Sequence, residues 1–272
     1  MRRRRSQREE RIQVRDTKVL PQARQVDRMD ERLSRYRTTF MKRVLTRLGR
    51  VRFRSVIDLG CDDGTNLRRM ASFLDAKEAM GVDFRAQDGV HDGMKLKRGN
   101  VLEFVPDHPY ELVISNQVFE HIYGPWLPKY FATLRASCAQ GGLILLSTPN
   151  RWRSSNLVRL LTLRRPFMLN ANPGVPPEEH LGHHRECSYR ELEAILDSEF
   201  PEPEFRVRIL RMFPRVEESV AHWLAVASVY LTLWPLWRPL FVSASQDHYA
   251  VIERMSAQAG DAAFDSGRVS KS

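Results

Sequence analysis

From Asp27 onward, Met29, Leu33, Tyr36, Phe40, Val44 and Leu48 recur every three or four residues. That is the period of a helix with one apolar face, and it predicts a helix that docks on the domain behind it. The pattern then changes. Short apolar runs, SVIDL, AMGVD, YELVISN and LILLSTP, alternate with helix-period stretches such as LRRMASFLDA and WLPKYFATLRASCA, and KLKRG supplies a third strand between AMGVD and YELVISN. The runs are apolar at consecutive positions, so both sides of each strand face hydrophobic neighbours, as in a parallel sheet covered on both faces. Right-handed crossovers make such a sheet doubly wound. A helix at YRELEAILDSEF and two strands, EFRVRILRM and HYAVIERM, follow and are expected to close the sheet as an antiparallel edge hairpin.

Residues 1–26 are rich in Arg, Gln and Glu with almost no large apolar groups. They cannot bury enough surface to offset the entropy of ordering, so they read as a disordered basic arm, and 257–272 as a disordered tail. The domain between them runs over 27–256. Within it, VAHWLAVASVYLTLWPLWRPLFV (220–242) is broken by His222, Pro235, Arg238 and Pro239, so no clean run reaches the ~18–20 residues of a membrane span. The expectation is a helical insertion at about 216–243. The alternative is a stretch lying on a bilayer surface with Trp223, Trp234 and Trp237 at the interface.

Charge looks at first like a nucleic-acid signal, with 43 Lys+Arg against 33 Asp+Glu. Divided by position it is not, because residues 1–54 carry 19 Lys+Arg and 6 Asp+Glu, net +13, and the rest of the chain is net −3. The arm is read as a solvated tail or an attraction to anionic headgroups. Cys61, Cys138 and Cys187 are widely spaced with no CxxC pair, which suits a reducing compartment. No apolar stretch follows MRRRRSQREERIQVR, so the reading is a cytoplasmic protein, at most peripheral to the inner membrane face.

The chemistry begins at VIDLGCDDGTNL, residues 56–67. Gly60 and Gly64 allow a sharp turn and a close ligand approach before a helix whose first N–H groups are free. Asp58, at the strand end, can accept from a ligand ammonium or brace the loop. The second strand ends in Asp83, about 20 residues on, where a carboxylate can take both hydroxyls of a ribose. Asn100 follows the third strand, SNQVFEHI ends the fourth, and STPNR ends the fifth.

In this order and spacing, residues 30–200 resemble the class I S-adenosylmethionine-dependent methyltransferases. The resemblance implies a Rossmann-like α/β fold, mostly parallel, with a C-terminal antiparallel strand, and S-adenosylmethionine as the cofactor. Asp58, Gly60 and Gly64 match that family's acidic-x-Gly-x-Gly-x-Gly loop, while Asp62 stands at its middle glycine. Asp83 matches the ribose-binding acid, and Asn100 with Val101 the adenine-contacting pair. Asn116 and Gln117 match the loop that faces the sulfonium. A dinucleotide reading fits less well, because GCDDGT does not supply GxGxxG.

Methyl transfer to a hydroxyl needs a group that removes its proton. The candidates are His121, in the Glu120–His121 pair, and the cluster His180, His183 and His184, of which His180 is selected. Three histidines in five residues beside Glu178 and Glu179 could also bind a metal, but no metal ligands are assigned. No NPPY-type stretch or Pro-Cys nucleophile is present, which removes two nucleobase chemistries. The function expected is O-methylation of a small metabolite, sugar or lipid-linked precursor, with an anionic membrane surface as a candidate partner and nucleic acid disfavoured. The rivals are an RNA methyltransferase and a noncatalytic scaffold whose Asp62 closes the cofactor loop.

Overall fold

The computed structural model describes residues 34–153, 156, 182–212 and 247–256. The arm at 1–26, the start of the first helix, His180, the apolar stretch at 216–243 and the tail at 257–272 lie outside the described residues. The chain divides into two units, Met1–Val51 and Arg52–Ser272. In the first, helix α1 spans 34–47 and carries the periodic residues Tyr36, Phe40 and Val44. It ends in a Schellman motif. Gly49 turns left-handed at φ 67°, and its N–H reaches the Thr46 carbonyl while that of Arg50 reaches Leu45, which satisfies carbonyls the helix leaves open.

The second unit is built on one eight-stranded sheet: β1 (Ser55–Leu59), β2 (Glu78–Asp83), β3 (Gly89–His91), β4 (Met94–Arg98), β5 (Tyr110–Asn116), β6 (Cys138–Pro149), β7 (Phe205–Met212) and β8 (Asp247–Arg254). Helices α2 (Thr65–Leu74), α3 (Leu127–Ser137) and α4 (Tyr189–Glu199) connect them. The order across the sheet is β3-β4-β2-β1-β5-β6-β8-β7. The five strands from β4 to β6 run parallel. β8 lies antiparallel to β6, and β7 antiparallel to β8 at the edge. The expected C-terminal hairpin is therefore present, with its second strand on the inside.

Val56, Ile57, Asp58 and Leu59 are buried in succession. Side chains alternate faces along a strand, so both faces of β1 are covered. From β1 the chain builds outward to β2 and β4, then returns to place β5 on the other flank of β1. That reversal opens a crevice at the carboxyl ends of β1 and β5, the place where doubly wound sheets bind ligands.

The sequence reading missed β3. It pairs antiparallel with β4 through Asp92 and Gly93, both at positive φ. Two left-handed residues in a two-residue loop make a type I′ hairpin, and the Asp-Gly dipeptide in HDGM was its signal.

Candidate active site

The turn after β1 is laid against β2, with the Gly60 and Cys61 amides donating to the Val82 carbonyl at 2.8 and 3.3 Å. Gly60 sits at φ 96°, and a Cβ added there would fall 2.1 Å from Val118 Cγ2. The segment that follows β5 thus closes directly onto the glycine turn. Asp62, at the place of the missing glycine, is left-handed at φ 51°, a conformation that Asp adopts more readily than most residues. Its side chain is 68% exposed, with the Arg85 guanidinium 4.0 Å away. Gly64, at φ 79°, is the N-cap of α2.

Asp83 ties this turn to the strand beside it. Its Oδ2 accepts from the Asp62 N–H at 3.1 Å and its Oδ1 from the Arg85 N–H at 2.8 Å. Each carboxylate oxygen keeps a further lone pair, so the group can still accept from a vicinal diol. Next to it Phe84 is 51% exposed, with the Arg85 guanidinium 5.2 Å from the centre of its ring. The sequence reading did not single out this apolar wall, although an aromatic just past a buried strand in AMGVDF was its mark. Asn100 is exposed and its Oδ1 accepts from the Leu102 N–H at 3.0 Å, which leaves the amide nitrogen to meet a base edge. Val101 is half-buried against the core.

Asp58 carries a buried acceptor at the end of β1. It is 3% exposed and its Oδ1 has no hydrogen-bond partner. Burial first, and the charge of Asp83 second, push its carboxyl up to about 7. A buried orphan acceptor beside a second carboxylate is matched by a cationic donor, and the ammonium of S-adenosylmethionine is one. The diol-accepting Asp83 and the Cβ-free approach at Gly60 fit the rest of that molecule.

Asp58 keeps its proton to higher pH in the folded protein than in the unfolded chain. Between the ordinary 3.8 and about 7, the folded protein holds a proton that the unfolded chain has released. The stability this gives is complete below pH 3.8 and is lost as pH rises through about 7. Asp58→Asn is therefore expected to flatten the decline in urea-unfolding free energy between pH 5 and pH 8. It should leave the variant more stable at pH 8 by up to about 4 kcal/mol. An unchanged slope would mean that Asp58 ionises normally.

Across the crevice, Asn116 and Gln117 are held by β6. The Ser147 hydroxyl donates to Asn116 Oδ1 at 2.6 Å and accepts from Gln117 Nε2 at 3.2 Å. The Gln117 N–H donates to the Ser147 carbonyl, fixing Gln117 at φ 61°. A 3₁₀ turn, Phe119–His121, follows. Glu120 is 1% exposed and accepts from the Thr148 hydroxyl at 3.3 Å. His121 is exposed, with Nδ1 3.2 Å from the Gly182 carbonyl.

The loop before α4 returns here. Its His184 and Arg185 amides donate to the Glu120 carbonyl, and the His183 ring meets that of His121 edge-on, centres 4.8 Å apart. Among the described histidines of the expected cluster, His183 is the one whose ring meets His121, while His180 lies outside the described residues. Behind it, buried Glu186 accepts from Arg153 at 2.7 Å and Asn156 at 2.8 Å and faces His183 Nδ1 at 3.4 Å. Burial raises the Glu186 carboxyl, but His183, Arg153 and Asn156 outweigh it and hold it below its ordinary value.

A family model described as "Methyltransferase domain" matches residues 33–198, more than half of the chain. No curated protein matches the chain in sequence. Among solved structures, it is similar to the small RNA methyltransferase HEN1 at 14% identity and TM-score 0.55, over 82% of this chain and 25% of that one. It is similar to the methyltransferase domain of bacterial CtHen1-C at 17% identity and TM-score 0.51, over 81% and 97%. It also matches a SAM-dependent methyltransferase from Archaeoglobus fulgidus at 18% identity and TM-score 0.48, over 80% and 94%. At these identities the structures speak for the fold alone. With the family match over the glycine turn, Asp83 and the β5 loop, the chain belongs to the methyltransferase domain family and is a class I, S-adenosylmethionine-dependent enzyme.

Proposed function

We propose that the enzyme methylates a hydroxyl of a small acceptor: a metabolite, a sugar or a lipid-linked precursor. The carrying observation is the Glu120–His121–His183 group, set on the turn whose Val118 packs against Gly60. A neutral amine is nucleophilic as it stands. A hydroxyl must lose its proton, and a carboxylate with two imidazoles is machinery for that purpose. The basic arm and the Trp-rich 220–242 stretch favour a lipid-linked member of the class.

In this reading, Asp83 accepts from the ribose, Asn100 and Val101 border the adenine, and Asp58 meets the ammonium, with Gly60, Asp62 and Gly64 forming the turn around it. Asn116 and Gln117 face the sulfonium. His121 and His180 belong to the acceptor side. The cofactor supplies an electrophilic methyl carbon on a sulfonium that is already its leaving group. The protein's share is alignment of the acceptor oxygen and removal of its proton.

The test is labelled-methyl transfer to pools of small hydroxyl compounds. His121→Ala is expected to lower the rate roughly 10²-fold and leave S-adenosylhomocysteine affinity unchanged. Transfer to amines alone, at a rate indifferent to His121, would overturn the reading. Salt-dependent RNA binding that survives deletion of residues 1–26 would favour an RNA acceptor instead.

A further inference from the structure

We propose, on the reading that Asn116 and Gln117 face the sulfonium, that Ser147 is a positioning residue for the cofactor. Its hydroxyl makes Gln117 turn its carbonyl oxygen, and not its NH2, toward the sulfonium. The site thereby favours the charged methyl donor over the neutral thioether left after transfer. Ser147 is 1% exposed and lies on β6, with Asn116 of β5 and Tyr249 of β8 as its register partners on either side. Its position is therefore fixed by two neighbouring strands. Its carbonyl accepts from the Gln117 N–H at 3.0 Å, and Gln117 is left-handed there at φ 61°. Such a conformation in a residue with a long side chain persists only where the surroundings impose it.

A hydroxyl has one proton and two lone pairs. With an amide on each side, it donates to one and must accept from the other. The two lengths say which is which. The 2.6 Å from Ser147 Oγ to Asn116 Oδ1 suits an O–H···O bond, and the 3.2 Å to Gln117 Nε2 suits an N–H···O bond. Gln117 Oε1 and Asn116 Nδ2 are then the ends turned away from Ser147. Both residues are half-buried, and neither of those two atoms has a hydrogen-bond partner among the described residues. Ser147 thus orders two adjacent amides at the end of β5 into a pair with one free acceptor end and one free donor end.

A sulfonium spreads its positive charge over the carbons and hydrogens bonded to it. The carbonyl end of an amide attracts that charge, directly and through C–H···O contacts, whereas the NH2 end repels it. Away from bulk water the difference between the two ends grows. The oxygen and nitrogen ends of a glutamine amide have nearly the same shape, so sterics alone do not choose between them. The Ser147 hydroxyl does, because it is already committed as a donor to Asn116 and can only accept from Gln117. After methyl transfer the sulfur is neutral and the attraction is gone, which eases release of the spent cofactor.

The experiment is calorimetric titration of the full-length chain with S-adenosylmethionine and, separately, with S-adenosylhomocysteine. It compares the wild type with Ser147→Ala, Ser147→Thr, Gln117→Ala and the Ser147→Ala/Gln117→Ala double variant. Ser147→Ala is expected to lower the ratio of S-adenosylmethionine to S-adenosylhomocysteine affinity by about tenfold, with S-adenosylhomocysteine binding within about threefold of wild type. Ser147→Thr keeps the hydroxyl and should restore the ratio. Gln117→Ala should lower the ratio by a similar factor, and adding Ser147→Ala to it should lower it no further, because both changes remove one shared interaction. A fall of both affinities by the same factor in Ser147→Ala would mean that Ser147 only holds the turn, and it overturns the proposal. A lowered ratio in Gln117→Ala beside an unchanged one in Ser147→Ala overturns it as well, while leaving Gln117 at the sulfonium. An unchanged ratio in Gln117→Ala removes Gln117 from the sulfonium, and the proposal falls with that reading.

Discussion

Asp83→Ala is expected to weaken S-adenosylhomocysteine binding by about a hundredfold or more in a calorimetric titration. The carboxylate has two tasks at once. It would accept from the ribose, and it already accepts from the Asp62 and Arg85 backbone amides, holding the glycine turn against the end of β2. Hydrogen bonds to a charged group contribute roughly 1.5–3 kcal/mol each, so losing a ribose contact and loosening the turn together exceeds the ~2.7 kcal/mol of a hundredfold change. A second readout comes with it. The charge of Asp83 helps to raise the Asp58 carboxyl, so the variant's pH profile of stability should shift to lower pH. Binding within threefold of wild type would place the ribose elsewhere.

Gly60→Ala should be the most damaging small substitution in the turn, costing about 3 kcal/mol or more. Two separate costs add. A Cβ 2.1 Å from Val118 Cγ2 forces one segment to move, and overpacking of this kind costs roughly 1–3 kcal/mol. The φ of 96° adds roughly 1–3 kcal/mol for any residue with a side chain. For a domain of this size a fall of roughly 6–12 °C in Tm follows. Val118→Ala in the same chain should return the steric part and leave the backbone part, so the double variant recovers only some of the loss. If Gly60→Ala unfolds within 1 kcal/mol of wild type, the turn is looser than its geometry indicates.

Asp62, which stands where a loop glycine is expected, takes up the backbone conformation of that position. A carboxylate in place of a loop glycine suggested a closed or weakened cofactor site. The backbone there needs a left-handed residue, Asp supplies one, and its amide becomes a donor to Asp83. Gly81 was passed over in the sequence, yet a Cβ on it would lie 2.6 Å from Cys61 Sγ and 2.8 Å from Leu96 Cδ2. Its bareness is what lets the buried Cys61 thiol and the turn lie flat on β2.

What the sequence determined by itself was the local and periodic part. Consecutive apolar runs mark strands covered on both faces, and 3.6-residue periods mark α1 to α4. Glycine and carboxylate positions at the strand ends mark the candidate cofactor turn, because a strand, a tight turn and a helix start are written within a dozen residues. The tertiary structure decided what depends on residues far apart in the chain: β8 between β6 and β7 rather than at the edge, Val118 against Gly60, the Asp83 carboxylate joining two turns, and His183 delivered to Glu120 and His121. The physical reason is one of range. Propensity and periodicity act over a few residues, whereas a shared carboxylate, a steric stop or a three-residue cluster exists only once the sheet has brought distant segments together.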